Sequence, residues 1–251
     1  MGDRLSGKVA LVTGASKGIG AEIVRMFAAE GARVALNFFK SEEQAKAISL
    51  EIKQSGGKCL LVKADVSKTA DVKRMVSKTV GKYGRIDILV NNAGILIPND
   101  FLDSTDENWD RVVDVNMKGT YLCCREVAPI MLMQKKGKII NISSVSALAQ
   151  PSALKFVDYV SSKAGVIGMT RALAVRLGPQ ITVNAICPGT IETEILSFMP
   201  TEVKQRMAEE TFMKSLGKPK YIAQAATFLA SAEADWITGE ILTVAGGRGM
   251  R

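Results

Sequence analysis

The chain has 251 residues, 47% hydrophobic and 23% charged, with a formal net charge of +8, a balance that suits one globular domain with a sizeable core. It contains no histidine, which excludes Ser-His-Asp triads, Cys-His pairs and histidine-containing metal sites; acid–base work falls to Tyr, Lys, Asp, Glu or water. No apolar run reaches the roughly 18 residues of a membrane helix and the first six residues lack an apolar signal region, so a cytoplasmic protein with no membrane partner is expected.

Taken in chain order, the first strand-like run, Val9–Thr13, leads into Thr13-Gly14-Ala15-Ser16-Lys17-Gly18-Ile19-Gly20, which opens a helical stretch, Gly18–Glu30. Glycines at a strand-to-helix junction permit a tight turn and close approach of backbone to a diphosphate, with the helix N-terminus offering N–H groups and positive dipole. Gly14, Ser16, Lys17, Gly18, Ile19 and Gly20 are therefore candidate dinucleotide-binding residues. The second run, Arg33–Phe38, ends in Asn37-Phe38-Phe39-Lys40-Ser41. An acidic side chain there would bind both ribose hydroxyls and repel a 2′-phosphate. With Asn37 in that position and Lys17 and Lys40 nearby, NADP(H) is predicted in preference to NAD(H).

Further strand-like runs are Lys58–Lys63, Ile86–Asn91, Lys138–Ser143, Ile181–Ile186 and Glu240–Val244; helical patterns cover Ser41–Gln54, Ala70–Tyr83, Asp106–Gln134, Phe156–Leu177 and Pro219–Ala230. Continuously apolar strands alternating with helices imply a single-domain α/β fold: a doubly wound parallel sheet of seven strands, Rossmann type, with helices on both faces and ligands beyond the carboxyl ends of the strands. No linker or repeat divides it. One segment breaks the alternation: residues 188–218 hold a helical patch, Thr201–Met213, with Met199, Met207, Phe212 and Met213, read either as a packed surface helix or as a lid over an apolar substrate. Cys59, Cys123, Cys124 and Cys187 form no C-x-x-C pair and are expected to be free and buried. The basic cluster Lys135-Lys136-Gly137-Lys138 is short and lacks interleaved aromatics, so nucleic acid is not the expected partner; a phosphate-rich cofactor or an acidic protein suits the charge.

Tyr159 and Lys163 are four residues apart, which on a helix places phenol and ammonium on one face. A lysine charge about 4 Å away at an effective dielectric of about 20 would favour phenolate by up to about 4 kcal/mol, or roughly three pKa units, bringing the phenol near neutrality. The pair points to an enzyme with a tyrosine proton catalyst.

These residues, with Asp65-Val66, Asn91-Asn92-Ala93-Gly94, Asn116, Ser143-Ser144 and Pro188-Gly189 in order, resemble the short-chain dehydrogenase/reductase family along the full chain, most closely its 3-oxoacyl-[acyl-carrier-protein] reductases. The resemblance implies that Asp65 and Val66 contact the adenine, that Asn92, Ala93 and Gly94 line the cofactor, and that Asn116 holds a water joined to Lys163. It further implies that Ser144 binds the substrate oxygen, Tyr159 transfers its proton, Lys163 binds the nicotinamide ribose, and Pro188, Gly189 and Thr193 flank the nicotinamide. Ser144 precedes Tyr159 by 15 residues, longer than the family's usual interval. Either the loop Ala147–Val157 carries an insertion or Ser146 takes the role; the strand-end motif favours Ser144. The turn at Gly178-Pro179 is slightly short for the family. The implied activity is NADPH-dependent reduction of a ketone, most plausibly a 3-oxoacyl thioester on acyl carrier protein, with Lys135 and Lys136 as a basic face for that carrier. A sugar or polyol dehydrogenase like glucose-1-dehydrogenase, or a non-catalytic NADPH-binding sensor, are the alternatives. A homotetramer is expected, using the apolar helix with Cys123, Cys124, Val127, Ile130, Met131 and Met133.

Overall fold

In the computed structural model, described for residues 3–148, 156–196 and 199–248, the strands are β1 (Val9–Val12), β2 (Arg33–Phe38), β3 (Lys58–Lys63), β4 (Ile88–Asn91), β5 (Gly137–Ile142), β6 (Ile181–Pro188) and β7 (Ile241–Val244). All pair in parallel, in the order β3-β2-β1-β4-β5-β6-β7. The helices are α1 (Gly18–Ala29), α2 (Glu42–Gln54), α3 (Thr69–Tyr83), α4 (Asp106–Val113), α5 (Gly119–Met133), α6 (Val157–Leu177), α7 (Thr201–Glu209) and α8 (Pro219–Ala230). The chain winds outward from β1 in one direction and from β4 in the other. Their loops diverge there and leave a crevice beyond the carboxyl ends, where this topology binds ligands.

The period-two geometry of strands divides the core between the two faces. Ala10, Val12, Val34, Leu36, Ile88 and Val90 pack with α1, α2 and α8, while Leu11, Ala35, Leu89 and Ile139 pack with α3, α5 and α6. Burying each large aliphatic side chain contributes about 1.5–3 kcal/mol. A polar seam crosses the second face: Asn91 Nδ2 donates to Oδ1 of its register partner Asn141 (2.8 Å), and Asn141 Nδ2 donates to Thr170 Oγ1 on α6 (2.9 Å). That seam aligns α6 against the sheet. All four cysteines are free and buried. Among the described residues, no helix is long and apolar enough to cross a membrane.

The expected doubly wound sheet is the one observed; some boundaries move for local reasons. β4 begins two residues late because Asp87 turns its carboxylate onto the Val9 N–H (2.9 Å) and Arg85. The single helix expected over Asp106–Gln134 is α4 and α5 joined by a π-helical turn, Asp114–Lys118, a widening that occurs often at functional sites. α7 stops at Glu209, short of Met213, because the Phe212 and Met213 N–H groups both donate to Gly246 O. On α5, Cys123, Cys124, Val127 and Met131 are buried in the chain's own core, and the exposed apolar groups are Tyr121, Leu132 and Met133. Most of the helix expected to form a subunit interface is thus occupied internally.

Leu11 is fully buried at the centre of the sheet. Leu11→Ala should lower stability by about 2–5 kcal/mol, seen as a lower urea midpoint at unchanged m-value; an unaltered midpoint would contradict this packing.

Candidate functional site

The crevice contains a cavity of about 740 Å³. At its base, the turn after β1 is clamped from both neighbouring strands. Thr13 Oγ1 accepts the Asn92 and Ala93 N–H groups (3.0 Å each) and donates to Val90 O (3.3 Å). Asn92 Nδ2 donates to Thr13 O and Gly14 O, at 2.9 and 3.0 Å. From β2, Asn37 Oδ1 accepts the Gly14 N–H at 3.1 Å. Gly14 has φ +61, and a Cβ on it would lie 2.7 Å from Ala93 Cα; the turn packs this closely on Ala93 only without a side chain. Lys17, the residue before α1, offers no side-chain cap, so the first-turn N–H groups of this helix remain for an anion, as a dinucleotide's diphosphate requires. The residues present fit that group: Gly14, Ser16, Lys17, Gly18 and Ile19 line the cavity, while Gly20 packs beneath them against Asn92 and Gly14.

At the end assigned to the adenosine, the sequence reading requires a correction. Asn37 is almost fully buried, and its amide donates to Val62 O and Ala64 O at 3.1 Å. With Oδ1 on Gly14, the side chain ties the turn to β3 and has no free donor for a ribose. Asn37 still borders the cavity, and with Phe38 turned into the core, Phe39, Lys40 and Ser41 line it beyond. Lys40 lies over the Phe39 ring, 6.0 Å from its centroid, and among the described residues it forms no ion pair. Lys17 is paired with Glu194 at 2.7 Å. Asp65 and Val66 line the same end. Burial alone would raise the Asp65 carboxyl, but the Ser67 hydroxyl and N–H, helped by Arg111, outweigh it and hold the group below its ordinary value. Arg111 also lines the cavity; far from Asp65 in sequence and in no motif, it was not legible beforehand.

At the other end, Ser144, Tyr159 and Lys163 line one wall. Ser144 follows β5, and α6 carries Tyr159 and Lys163 on the predicted shared face. Ser146 donates both its hydroxyl (2.7 Å) and its N–H (3.2 Å) to Ser144 Oγ, while the Ser144 hydroxyl reaches the phenol of Tyr159. Ser143 is turned away, donating to Lys163 O at 2.8 Å. Ser144 therefore stands between Tyr159 and Ser146; residues 149–155 of the loop that lengthens this interval lie outside the described residues.

The expected lowering of the phenol pKa is not what the geometry produces. Lys163 Nζ lies 5.8 Å from the Tyr159 ring centroid and donates to Ile142 O at 2.9 Å. Burial pushes the ammonium down to about 8. Burial also raises the phenol, only partly offset by the Ser144 hydroxyl. Desolvation here exceeds the through-space attraction that a 4 Å separation and a moderate dielectric would give. Asn116, in the π turn, is fully buried: Oδ1 accepts the Ile95 N–H (2.8 Å), and Nδ2 donates to Ile95 O (2.9 Å) and Ser162 Oγ (3.0 Å). Gly94 lies between them, since a Cβ there would sit 3.2 Å from Lys163 Nζ and 3.4 Å from Asn116 Oδ1.

Pro188, Gly189 and Thr193 complete the wall after β6. The segment over the cavity is α7, which has no buried residue of its own. Val203, Arg206 and Met207, with Met199, Glu210 and Arg248, face the cavity opposite Leu96 and Phe156. Phe212 and Met213 of the same apolar stripe are instead mostly exposed. Nothing in the local sequence pattern of Arg206, Glu210 and Arg248 separates them from surface charges. Lys135 and Lys136, by contrast, lie before the amino end of β5. Within one chain that is the end of the sheet opposite the cavity, and Lys136 and Lys138 both pair with Asp235, at 2.9 and 2.7 Å.

A family profile described as Enoyl-(Acyl carrier protein) reductase matches residues 14–248. A 3-oxoacyl-[acyl-carrier-protein] reductase of Staphylococcus epidermidis is 41% identical over 97% of this chain and 99% of its own length. Among solved structures, a 7α-hydroxysteroid dehydrogenase complexed with NADH and 7-oxo glycochenodeoxycholic acid superposes with TM-score 0.93 at 36% identity, covering 99% of this chain and 96% of that one. A short-chain dehydrogenase of Burkholderia cenocepacia in complex with NADP superposes with TM-score 0.91 at 33% identity, covering 98% and 100%. With the clamped glycine turn and the Ser-Tyr-Lys wall, these likenesses mean that the chain belongs to the short-chain dehydrogenase/reductase family and is an oxidoreductase.

Proposed function

We propose that the protein is an NADPH-dependent reductase that converts a ketone to a secondary alcohol, with a 3-oxoacyl thioester as substrate. The observation that carries this reading is the placement of Ser144, Tyr159 and Lys163 on one wall of a cavity whose other end is the uncapped start of α1. A bound nicotinamide supplies the hydride. The chain's task is then to orient the carbonyl and deliver one proton. Ser146 donates to Ser144 Oγ, and the Ser144 hydroxyl, which meets the Tyr159 phenol in the free enzyme, turns its proton to the substrate oxygen when substrate binds. Tyr159 donates its phenolic proton to the same oxygen, and two converging hydroxyls stabilise the developing alkoxide. Burial raises the phenol above its ordinary value, so the free enzyme holds on Tyr159 the proton that reduction consumes. Lys163 holds the nicotinamide ribose, and with Asn116 on the other side of Gly94 it bounds a path by which a solvent molecule would return the proton to Tyr159.

The preference for NADPH rests on Lys40, since Lys17 shares its charge with Glu194 and no acidic residue stands at the end of β2. The choice of an acyl substrate over a sugar or polyol rests on Leu96, Phe156, Met199, Val203 and Met207, which offer a polyol few hydrogen-bond partners. The relative from Staphylococcus epidermidis is named for a substrate of this class. Residues 188–218 act as a lid on the substrate, and Tyr121, Leu132 and Met133 contribute to assembly as a homotetramer. Delivery of the thioester by acyl carrier protein fits the same reading.

NADPH oxidation with acetoacetyl thioesters tests the activity. Tyr159→Phe should lose at least about a hundredfold in kcat, in line with general acid catalysis, while still binding NADPH; turnover only with sugars or polyols would move the enzyme to the dehydrogenase branch. Lys40→Glu should shift the NADPH/NADH affinity ratio toward NADH by about tenfold or more, near 1.4 kcal/mol; an unchanged ratio assigns the preference elsewhere. Lys163 loses its charge as pH passes about 8, so kcat/KM for NADPH should fall above that pH, because this ratio reports the free enzyme. Lys163→Arg should remove that alkaline limb, and a profile flat to pH 10 in the parent enzyme would refute the assignment.

A further inference from the structure

We propose that Arg248 is a positioning residue for substrate binding: through Glu210 and Thr190 it locks α7 over the reacting end of the cavity. The inference rests on the reading of α7 as a substrate cover. Arg248 follows β7, and its side chain is only 7% exposed. Nη2 contacts Glu210 Oε2 at 2.6 Å, at the end of α7, and Nη1 donates to Thr190 Oγ1 at 2.6 Å, directly after Pro188-Gly189. One guanidinium thus joins the lid to the loop that flanks the reacting wall, in the forked geometry that arginine allows and lysine does not.

The surrounding backbone makes this a built joint. The Phe212 and Met213 N–H groups donate to Gly246 O at 2.9 and 3.3 Å. Gly246 and Gly247 have φ of +60 and +79, and a Cβ on Gly247 would lie 2.9 Å from Phe212 Cδ2. A Cβ on Gly189 would lie 2.8 Å from Ala245 Cα. The turn at 245–248 is therefore wedged between the end of the lid and the wall after β6. α7 needs such a joint: a helix of 9 residues with none of them buried is too short to persist unaided. Its cavity-facing side chains, Val203, Arg206 and Met207, are placed by whatever holds its ends. The glycine turn and the loop after β2, which hold most of the cofactor cradle, lie on other elements, so the lock acts chiefly on substrate and little on NADPH.

The test uses the full-length Arg248→Met, Arg248→Lys and Glu210→Gln enzymes, with steady-state kinetics on an acetoacetyl thioester, NADPH titration, and limited trypsinolysis read at Lys204 and Arg206 in saturating NADPH. Arg248→Met and Glu210→Gln should each raise KM for the thioester at least tenfold, with kcat within about threefold and NADPH affinity within about twofold. Each should also speed cleavage within α7 at least tenfold. Arg248→Lys should recover only part of the loss, and the double variant should be no worse than the worse single one, since both remove one interaction. Unchanged KM and cleavage, losses that multiply in the double variant, or a parallel loss of NADPH affinity would overturn the proposal. If the parent enzyme does not turn over the thioester at all, the substrate reading fails, while the cleavage rates still decide whether Arg248 and Glu210 hold the lid.

Discussion

The clamp on the turn after β1 is the constraint on which the rest of the site depends. Thr13, Asn37 and Asn92 come from three adjacent strands, and between them they satisfy or anchor the backbone groups that a tight turn leaves unpaired. Because those hydrogen bonds are made by side chains from below, the turn keeps its upper surface bare. A buried polar group without a partner would cost roughly 1–3 kcal/mol, so the clamp also stabilises the junction of β1, β2 and β4. The helix that follows then starts uncapped at the mouth of the crevice, and the diphosphate seat follows from the sheet's own order.

The reacting end shows the opposite economy. Lys163 and Tyr159 are both drawn out of water, and burial moves each toward its neutral form. The wall is held from behind by side-chain hydrogen bonds: Ser143 on the Lys163 carbonyl, Asn116 on Ile95 and Ser162, and the Asn91–Asn141–Thr170 seam beneath α6. Each is a buried hydrogen-bonded network, which rigidifies its surroundings, though Asn91 Oδ1 in the seam has no partner among the described residues. The phenol is thus raised and the ammonium lowered to about 8 by the same burial. The lysine's charge matters most where a bound anion or alkoxide replaces lost hydration.

The helix over the cavity is built differently. α7 lacks a core of its own and is joined to the body through Arg248, Glu210 and the glycine turn at 246–247. Rigid elements thus carry the glycine turn and Tyr159, while a weakly packed helix lies over the cavity they line. The apolar faces of Met199, Val203 and Met207 suit an acyl chain, with methionine accommodating variation in its shape.

The sequence by itself determined the alternation of strands and helices, the parallel sheet, the glycine turn, and the Tyr159–Lys163 face. Each of these rests on local periodicity or short spacing, which a linear reading can count. The missing histidine narrowed the chemistry in the same way. Only the tertiary structure decided where side chains from distant segments spend their hydrogen bonds. It made Asn37 a clamp, because β3 carbonyls lie beneath it, and it put Arg111 on Asp65. It set Ser144 between Tyr159 and Ser146, and carried Lys135 and Lys136 to the far end of β5. It also reversed the expected shift of the Tyr159 phenol, since desolvation depends on everything packed around a group and not on the residue four positions away. Arg248, Glu210 and Thr190 meet for the same reason: they are unremarkable charges and hydroxyls along the chain, and they become a joint only when β6, β7 and the end of α7 converge.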